Sequence, residues 1–298
     1  MAHDKHTTSK MNQDLNLMMP TRQAWLDLAG DWQDPIEEPV IIEHEGFKVI
    51  REDLMGFGSK CRFGDILVQK AQTDTLVYVQ PRFGFAGISL AYLANKYNKK
   101  LVLFMPSGKV ISDHQAICIE RGAIAKFRRI AAMPNLNRIA KQWAEDNNAT
   151  FIPLGLKHEL VTAAAVKVAY DIAEKHGYPE EVWSAISTGV LQRSLQIAWP
   201  GAKFNAVAVS RNIQNGELGK AKVWSHPKAF ASDVKPEFAP PFPSAMNYDA
   251  KAWEYMVKHG NPGSWFWNVG GDPKPEDLTT KDITNSERAW GEVLETDM

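Results

Sequence analysis

An α/β architecture of mostly parallel sheets with crossover helices is what this sequence predicts, and three observations predict it. From about residue 40, short β-branched apolar runs alternate with segments whose apolar residues recur at helical spacing. The chain has 298 residues, 44% of them hydrophobic, enough for one large domain or two smaller ones with a real core. No stretch approaches the ~20 apolar residues that span a bilayer, and the polar start MAHDKHTTSKMNQDLNLMMPTRQ lacks the continuous apolar segment of a signal peptide. The balance of 34 Lys and Arg against 35 Asp and Glu, a formal charge of −1, excludes wholesale electrostatic binding of nucleic acid while leaving a local basic face open. Cys61 and Cys118 supply neither a disulfide framework nor metal-ligand spacing, and the eight histidines show no clustered ligand pattern. A soluble, cytoplasmic protein of a reducing compartment, with no membrane partner, is expected.

The elements follow in order. Residues 1–22 read as a polar, loosely ordered lead-in. In the acidic, Trp-containing stretch 24–39, Pro35 and Pro39 break any long helix. Strands are expected at 47–53, 74–80, 100–106, 123–130, 149–155, 182–188, 204–210 and 264–271. Helices are expected at 85–98, 112–121, 133–147, 158–177, 189–199 and 249–259, as the apolar positions Leu160, Ala164, Val168 and Ile172 illustrate. Gly122 and Gly177 stand where helix ends need them, and Pro179 stops the chain soon after. The region 211–248 holds Pro227, Pro236, Pro240, Pro241 and Pro243 with little periodicity and reads as a long surface excursion.

The segment REDLMGFGSKCRFGD (51–65) carries the chemistry: a strand ends in charged residues, a glycine turn follows, and Lys60 opens a helix. A lysine near a positive helix end, if desolvated, has its pKa lowered toward a nucleophilic amine. The same spacing also describes a solvated turn lysine. Cys61 beside it reads as a small packed residue rather than a nucleophile, and no GxSxG elbow occurs.

This segment resembles the KRED…GSFKxRGA stretch of the fold-type II pyridoxal-phosphate enzymes, the tryptophan synthase β-like family. VYVQPRFGFAGISLAYLANKYNKKLVLFMPS (77–107) is similar to the family's SSGNHGxALAYAAxxxGxxxxVxMP, with Gly84, Gly87, Leu90, Ala91 and Pro106 in step. DHQAICIERGA (113–123) is similar to the helix and turn that follow there. ISTGVLQRSL (186–195) sits where the family has its phosphate cup, and SWFWNVGGDP (264–273) resembles the FxHTGGxP segment of the deaminase and desulfhydrase branch. The matches run in family order over residues 47–273.

The resemblance implies two α/β domains: a large cofactor-binding one from 23–77 plus 155–298, and a small one at 78–154. It implies pyridoxal 5'-phosphate as cofactor, Lys60 as its Schiff-base lysine, and Ser187, Thr188 and Gly189 around its phosphate. The strand–turn–helix that holds these three is also what an ordinary N-capped helix looks like. Asn268 would face the pyridine nitrogen, where the family places Ser or Thr. Phe85 stands where the family has an Asn beside the cofactor's 3-hydroxyl. The usual Ser-rich carboxylate loop is replaced by Gln80-Pro81-Arg82-Phe83, so Arg82, with Gly84, becomes the candidate grip on a substrate carboxylate or a phosphate; the same position also describes a surface arginine near a strand end.

The implied activity is a lyase or deaminase, with a decarboxylase as variant, acting on an amino-acid-like substrate in a homodimer. The compact length and divergent motifs are also similar to virus-encoded members that remodel amino-acyl groups on thymine in hypermodified DNA, which would place the protein in the host cytoplasm. The basic run Arg121, Lys126, Arg128, Arg129, Arg138 and Lys141, with aromatic patches at Trp224, Phe238, Phe242 and 265–267, would then face nucleic acid. Two other readings stay open. Residues 182–209 also look like the strand–loop–helix–strand of a phosphoribosyltransferase using the 186–189 loop, although Ser184 and Ala185 replace its paired acidic residues. A non-catalytic member of the fold that binds a ligand or DNA would account for Phe85.

Overall fold

The computed structural model of the chain describes residues 21–108, 110–129, 132–210, 213 and 218–273. The expected lead-in lies outside the described residues except for its end, where Thr21 caps helix α1 (Arg22–Ala29) by accepting from the Ala24 N–H. Gly30, at φ 58°, closes that helix before either proline is reached.

Two sheets form the frame. The four-stranded one has the order β5-β4-β3-β6, from β3 (Thr75–Val79), β4 (Lys100–Pro106), β5 (Ile124–Arg128) and β6 (Thr150–Phe151), every pair parallel. β3 begins three residues before the expected start of the small unit at 78. The six-stranded sheet has the order β1-β2-β10-β7-β8-β9. It combines β1 (Ile41–His44) and β2 (Phe47–Arg51) with β7 (Glu181–Ile186), β8 (Lys203–Ala208), β9 (Lys222–Ser225) and β10 (Trp265–Asn268). Only β1 runs antiparallel, joined to β2 by the left-handed pair Glu45 and Gly46. β2 pairs in parallel with β10, from Lys48 opposite Trp265 to Arg51 opposite Asn268, so this sheet draws on both ends of the described chain.

The crossovers are α2 (Lys60–Lys70), α3 (Ala86–Lys96), α4 (Asp113–Glu120), α5 (Met133–Asp146), α6 (Glu159–His176), α7 (Val190–Ala198) and α8 (Asp249–His259). Strand side chains alternate between two cores, as period-two geometry requires. In β3, Leu76 and Tyr78 join the central core with α3, whereas Val77 and Val79 pack with Leu136, Ala140 and Ala144 of α5. In β10, Trp265 and Trp267 face the central core, and Phe266 faces Trp253 and Met256 of α8. At ~25 cal/mol per Å² of apolar area, such bulky residues dominate the stabilisation. The expected aromatic platform for nucleic acid is corrected in part: Phe242, Trp265, Phe266 and Trp267 are buried in these cores and offer no face for stacking, whereas Trp224 and Phe238 are half-buried.

Helix expectations hold to within two residues at each end. The strand at 149–155 shrinks to two residues, because Pro153 has no N–H for the ladder and Gly155 turns left-handed at φ 72°. β9 lies inside the excursion at 211–248, pairing in parallel with β8. Among the described residues, no helix is long and apolar enough to cross a membrane.

Candidate active site

Strands β3, β6, β7 and β10 all deliver their carboxyl ends to one cavity, where open α/β sheets place ligands. Lys60 lines it at the first position of α2. The Ser59 N–H donates to the Val269 carbonyl at 2.8 Å, tying the base of Lys60 to the end of β10. Behind Lys60 the helix is fixed by buried charge. Arg62 pairs with Glu52 at 3.1 Å and with Asp34, while Asp65 accepts from Trp32 (3.0 Å), Lys96 (3.0 Å) and Tyr97 (2.7 Å). The acidic, Trp-bearing stretch before β1 is thus the brace of the lysine helix.

Lys60 is half-buried, and loss of hydration pushes its pKa below that of an ordinary lysine, against the attraction of Asp249. Asp249, first residue of α8, is completely buried. One carboxylate oxygen accepts from the Val269 N–H at 3.1 Å and the other has no hydrogen-bond partner among the described residues, and burial raises the pKa well above its ordinary value. Cys61 is buried and inert, its thiol pushed up to about 12 by desolvation.

Ser187 and Thr188 follow β7 and line the same cavity, and Gly189, at φ 73°, opens α7 in an adjoining recess that Lys60 and Thr188 share. The Ser187 hydroxyl accepts from Ser210 at 2.8 Å, which leaves its own proton to donate. The Arg193 guanidinium donates to the Thr188 carbonyl at 3.0 Å, adding positive charge beside the first N–H groups of α7. Opposite, the loop after β3 is shaped by buried Gln80, which accepts from the Gly87 N–H (2.8 Å) and donates to the Gly84 carbonyl (3.0 Å). This turns Phe83, Gly84 and Phe85 into the cavity. The Phe85 ring lies against Gly58 and Gly270, where an added Cβ would come within 2.9 and 3.0 Å of it.

Of the expected site residues, Lys60, Gly84, Phe85, Ser187 and Thr188 share this cavity, with Gly189 beside it. Two expectations are corrected. Asn268 does not reach the cavity: its carbonyl accepts from Ser244 at 2.9 Å and its amide donates to Asp53 (2.7 Å) and the Pro243 carbonyl (2.9 Å). β10 alternation turns it to the α8 side and leaves Val269 facing inward. Arg82 is likewise absent from the cavity wall; its guanidinium lies over Gly108, within 2.3 Å of where a Cβ there would sit. Sequence reasoning missed His114, Asn247, Tyr248 and Phe230 on the wall, and Asp249 and Arg193 just behind it. Asp249 carried only the signal of an ordinary first-turn acid.

No protein-family profile and no curated protein matches the sequence. Solved structures do match. An ACC deaminase homologue aligns over 91% of this chain and 98% of its own, with a TM-score of 0.70 and 15% identity. A pyridoxal 5'-phosphate-dependent aspartate racemase aligns over 87% and 98%, with a TM-score of 0.65 and 13% identity. Escherichia coli diaminopropionate ammonia lyase aligns over 88% and 90%, at 0.61 and 11%. The chain therefore has the fold that its motifs resemble, the fold-type II architecture.

Proposed function

We propose that this chain is a pyridoxal-phosphate-dependent enzyme acting on an amino-acid-like substrate, a lyase that deaminates or decarboxylates it. The observation that carries the reading is the placement of Lys60: a desolvated amine at the carboxyl ends of strands from two sheets, sharing one cavity with the Ser187–Thr188 turn. The residues present fit the cofactor. The hydroxyls of Ser187 and Thr188, the first N–H groups of α7 and the adjacent Arg193 form a donor set for a phosphate. The unpartnered Asp249 oxygen is an acceptor for a protonated ring nitrogen.

When bound, the cofactor supplies an aldehyde that captures amines and a pyridine ring that withdraws electrons from Cα. Burial lowers the Lys60 pKa and so raises the share of free amine, and its Nζ can act as nucleophile and afterwards hold or return a proton. The apolar wall of Phe83, Phe85 and Phe230 limits water around Nζ and protects the proton it carries.

The test is the absorbance spectrum of the protein with added pyridoxal phosphate, followed by borohydride reduction and peptide mapping. A visible band and a reduced pyridoxyl adduct on Lys60, both lost in Lys60→Ala, are expected. An adduct elsewhere, or none, would overturn the reading. Release of ammonia against carbon dioxide from amino acids then separates the two lyase chemistries.

A further inference from the structure

One wall of the cavity is a continuous arc of five rings, each set edge-on to the next. Phe85 meets His114 at 5.2 Å and 73°, His114 meets Phe83 at 6.1 Å and 77°, Phe83 meets Phe230 at 6.2 Å and 86°, and Phe230 meets Tyr248 at 6.4 Å and 85°. All five line the cavity that holds Lys60. They come from the α3 cap, the loop before it, α4, the excursion and the α8 cap, so only the folded chain assembles the arc.

The arc is also fixed in place. Buried Lys251 of α8 donates to the carbonyls of Ala229 (2.8 Å) and Phe230 (3.3 Å), pinning the segment that carries the Phe230 ring. At the other end, Phe85 is wedged against two glycines. Among the described residues no Asp, Glu or Arg side chain lines the cavity, and burial keeps the His114 imidazole neutral at ordinary pH. A charged substrate side chain would lose its hydration here, where Lys60 is the one charged side chain among the described lining residues and Asp272 stands behind His114 at 3.9 Å. An apolar one would exchange water for ring faces and edges.

We infer that this arc receives the substrate's side chain and selects one that is uncharged and apolar. The inference rests on Lys60 as the amine-handling group and adds the substrate class to that reading. Phe230 is the specificity-determining residue of the arc, and Lys251 positions it.

The experiment titrates the pyridoxal-phosphate-loaded protein with L-leucine, L-phenylalanine, L-aspartate, L-glutamate and L-lysine, taking dissociation constants from the visible band. Leucine and phenylalanine should bind at least about tenfold more tightly than the charged amino acids, a difference of about 1.4 kcal/mol. Phe230→Ala should weaken leucine about tenfold and L-alanine little, and Phe230→Arg should move the preference toward aspartate. Phe83→Leu replaces Phe230→Ala if that variant does not fold. Charged amino acids that bind as tightly as leucine, or a Phe230→Ala variant with unchanged leucine affinity, would overturn the inference while the cofactor reading stands. If no visible band forms, the cofactor reading falls by itself. Calorimetry of leucine and aspartate with the cofactor-free protein then decides the arc's role, an absence of leucine preference overturning it.

Discussion

Replacing Arg62 by Met should be among the most damaging single changes outside the cavity, and its cost should depend on pH in a defined direction. The guanidinium is fully buried and donates Nε and Nη2 to the two Glu52 oxygens at 3.1 Å each, Nη1 to the Ile36 carbonyl at 3.2 Å, and Nη1 again to Asp34. Glu52 is itself fully buried, so Arg62→Met strands its carboxylate in the core, a loss of about 3–5 kcal/mol. Even with Arg62 present, burial outweighs attraction and holds the Glu52 pKa above the ordinary glutamate value of 4.5. Without the guanidinium it rises further. A carboxyl whose folded pKa lies above its unfolded one costs stability once pH exceeds the unfolded value and costs none below it. Urea unfolding of Arg62→Met against the parent should therefore show the largest deficit near pH 8 and a much smaller one near pH 4. Adding Glu52→Leu should recover most of the loss, since an apolar pair of similar volume can replace a buried ion pair at little cost. A deficit under about 1 kcal/mol, one equal at both pH values, or a double variant no better than the single one would refute this account of how the Lys60 helix is braced.

The turn around Ser187–Gly189 can be reached through Gly155, whose φ of 72° and missing Cβ leave room for Thr188. Gly155→Ala would put a Cβ 2.5 Å from the Thr188 methyl group, so it should weaken pyridoxal phosphate retention and lower Tm by a few degrees. Gly263→Ala, strained at φ 81° but open around the Cβ, should lower Tm without changing retention, and equal retention in both variants would sink the claim. The lowered pKa of Lys60 predicts that the rate of borohydride-trapped adduct formation rises with pH and levels off at a midpoint below 10.5. A midpoint at the ordinary lysine value would contradict this. The raised pKa of Asp249 means that the cofactor-free protein loses stability as pH rises above 3.8, where the unfolded carboxyl ionises and the folded one resists. Asp249→Asn should flatten that fall in a Tm series from pH 4 to 8, and an unchanged slope would refute the assignment.

What the sequence revealed, and what it hid, follows from the range of each interaction. The parallel strands and crossover helices were legible because their apolar periods are local, and Lys60 because a strand end, a glycine turn and a helix start lie within fourteen residues of one another. β1 and β9 were not, being four-residue edge strands whose side chains are at most half-buried and show no clear alternation. The aperiodic excursion looked like decoration for the same reason: Phe230, Ala245, Asn247 and Tyr248 reach the cavity without a periodic pattern, Phe230 held by Lys251, Ala245 by Gly270 and Tyr248 by Ala185. Asn268 failed on parity. A motif match fixes a residue's position along β10, but the strand's pleat decides its face, and a shift of one residue exchanges the buried knot at Ser244 and Asp53 for the cavity that Val269 lines. Arg82 failed because Gln80, two residues earlier, bonds across the turn to Gly84 and Gly87 and so sets which side chains point inward. In both cases the residue type suited the role and the local backbone withheld it. The resulting pocket holds Lys60 where the motif put it, but the side chains around it are brought together by contacts that no motif encodes.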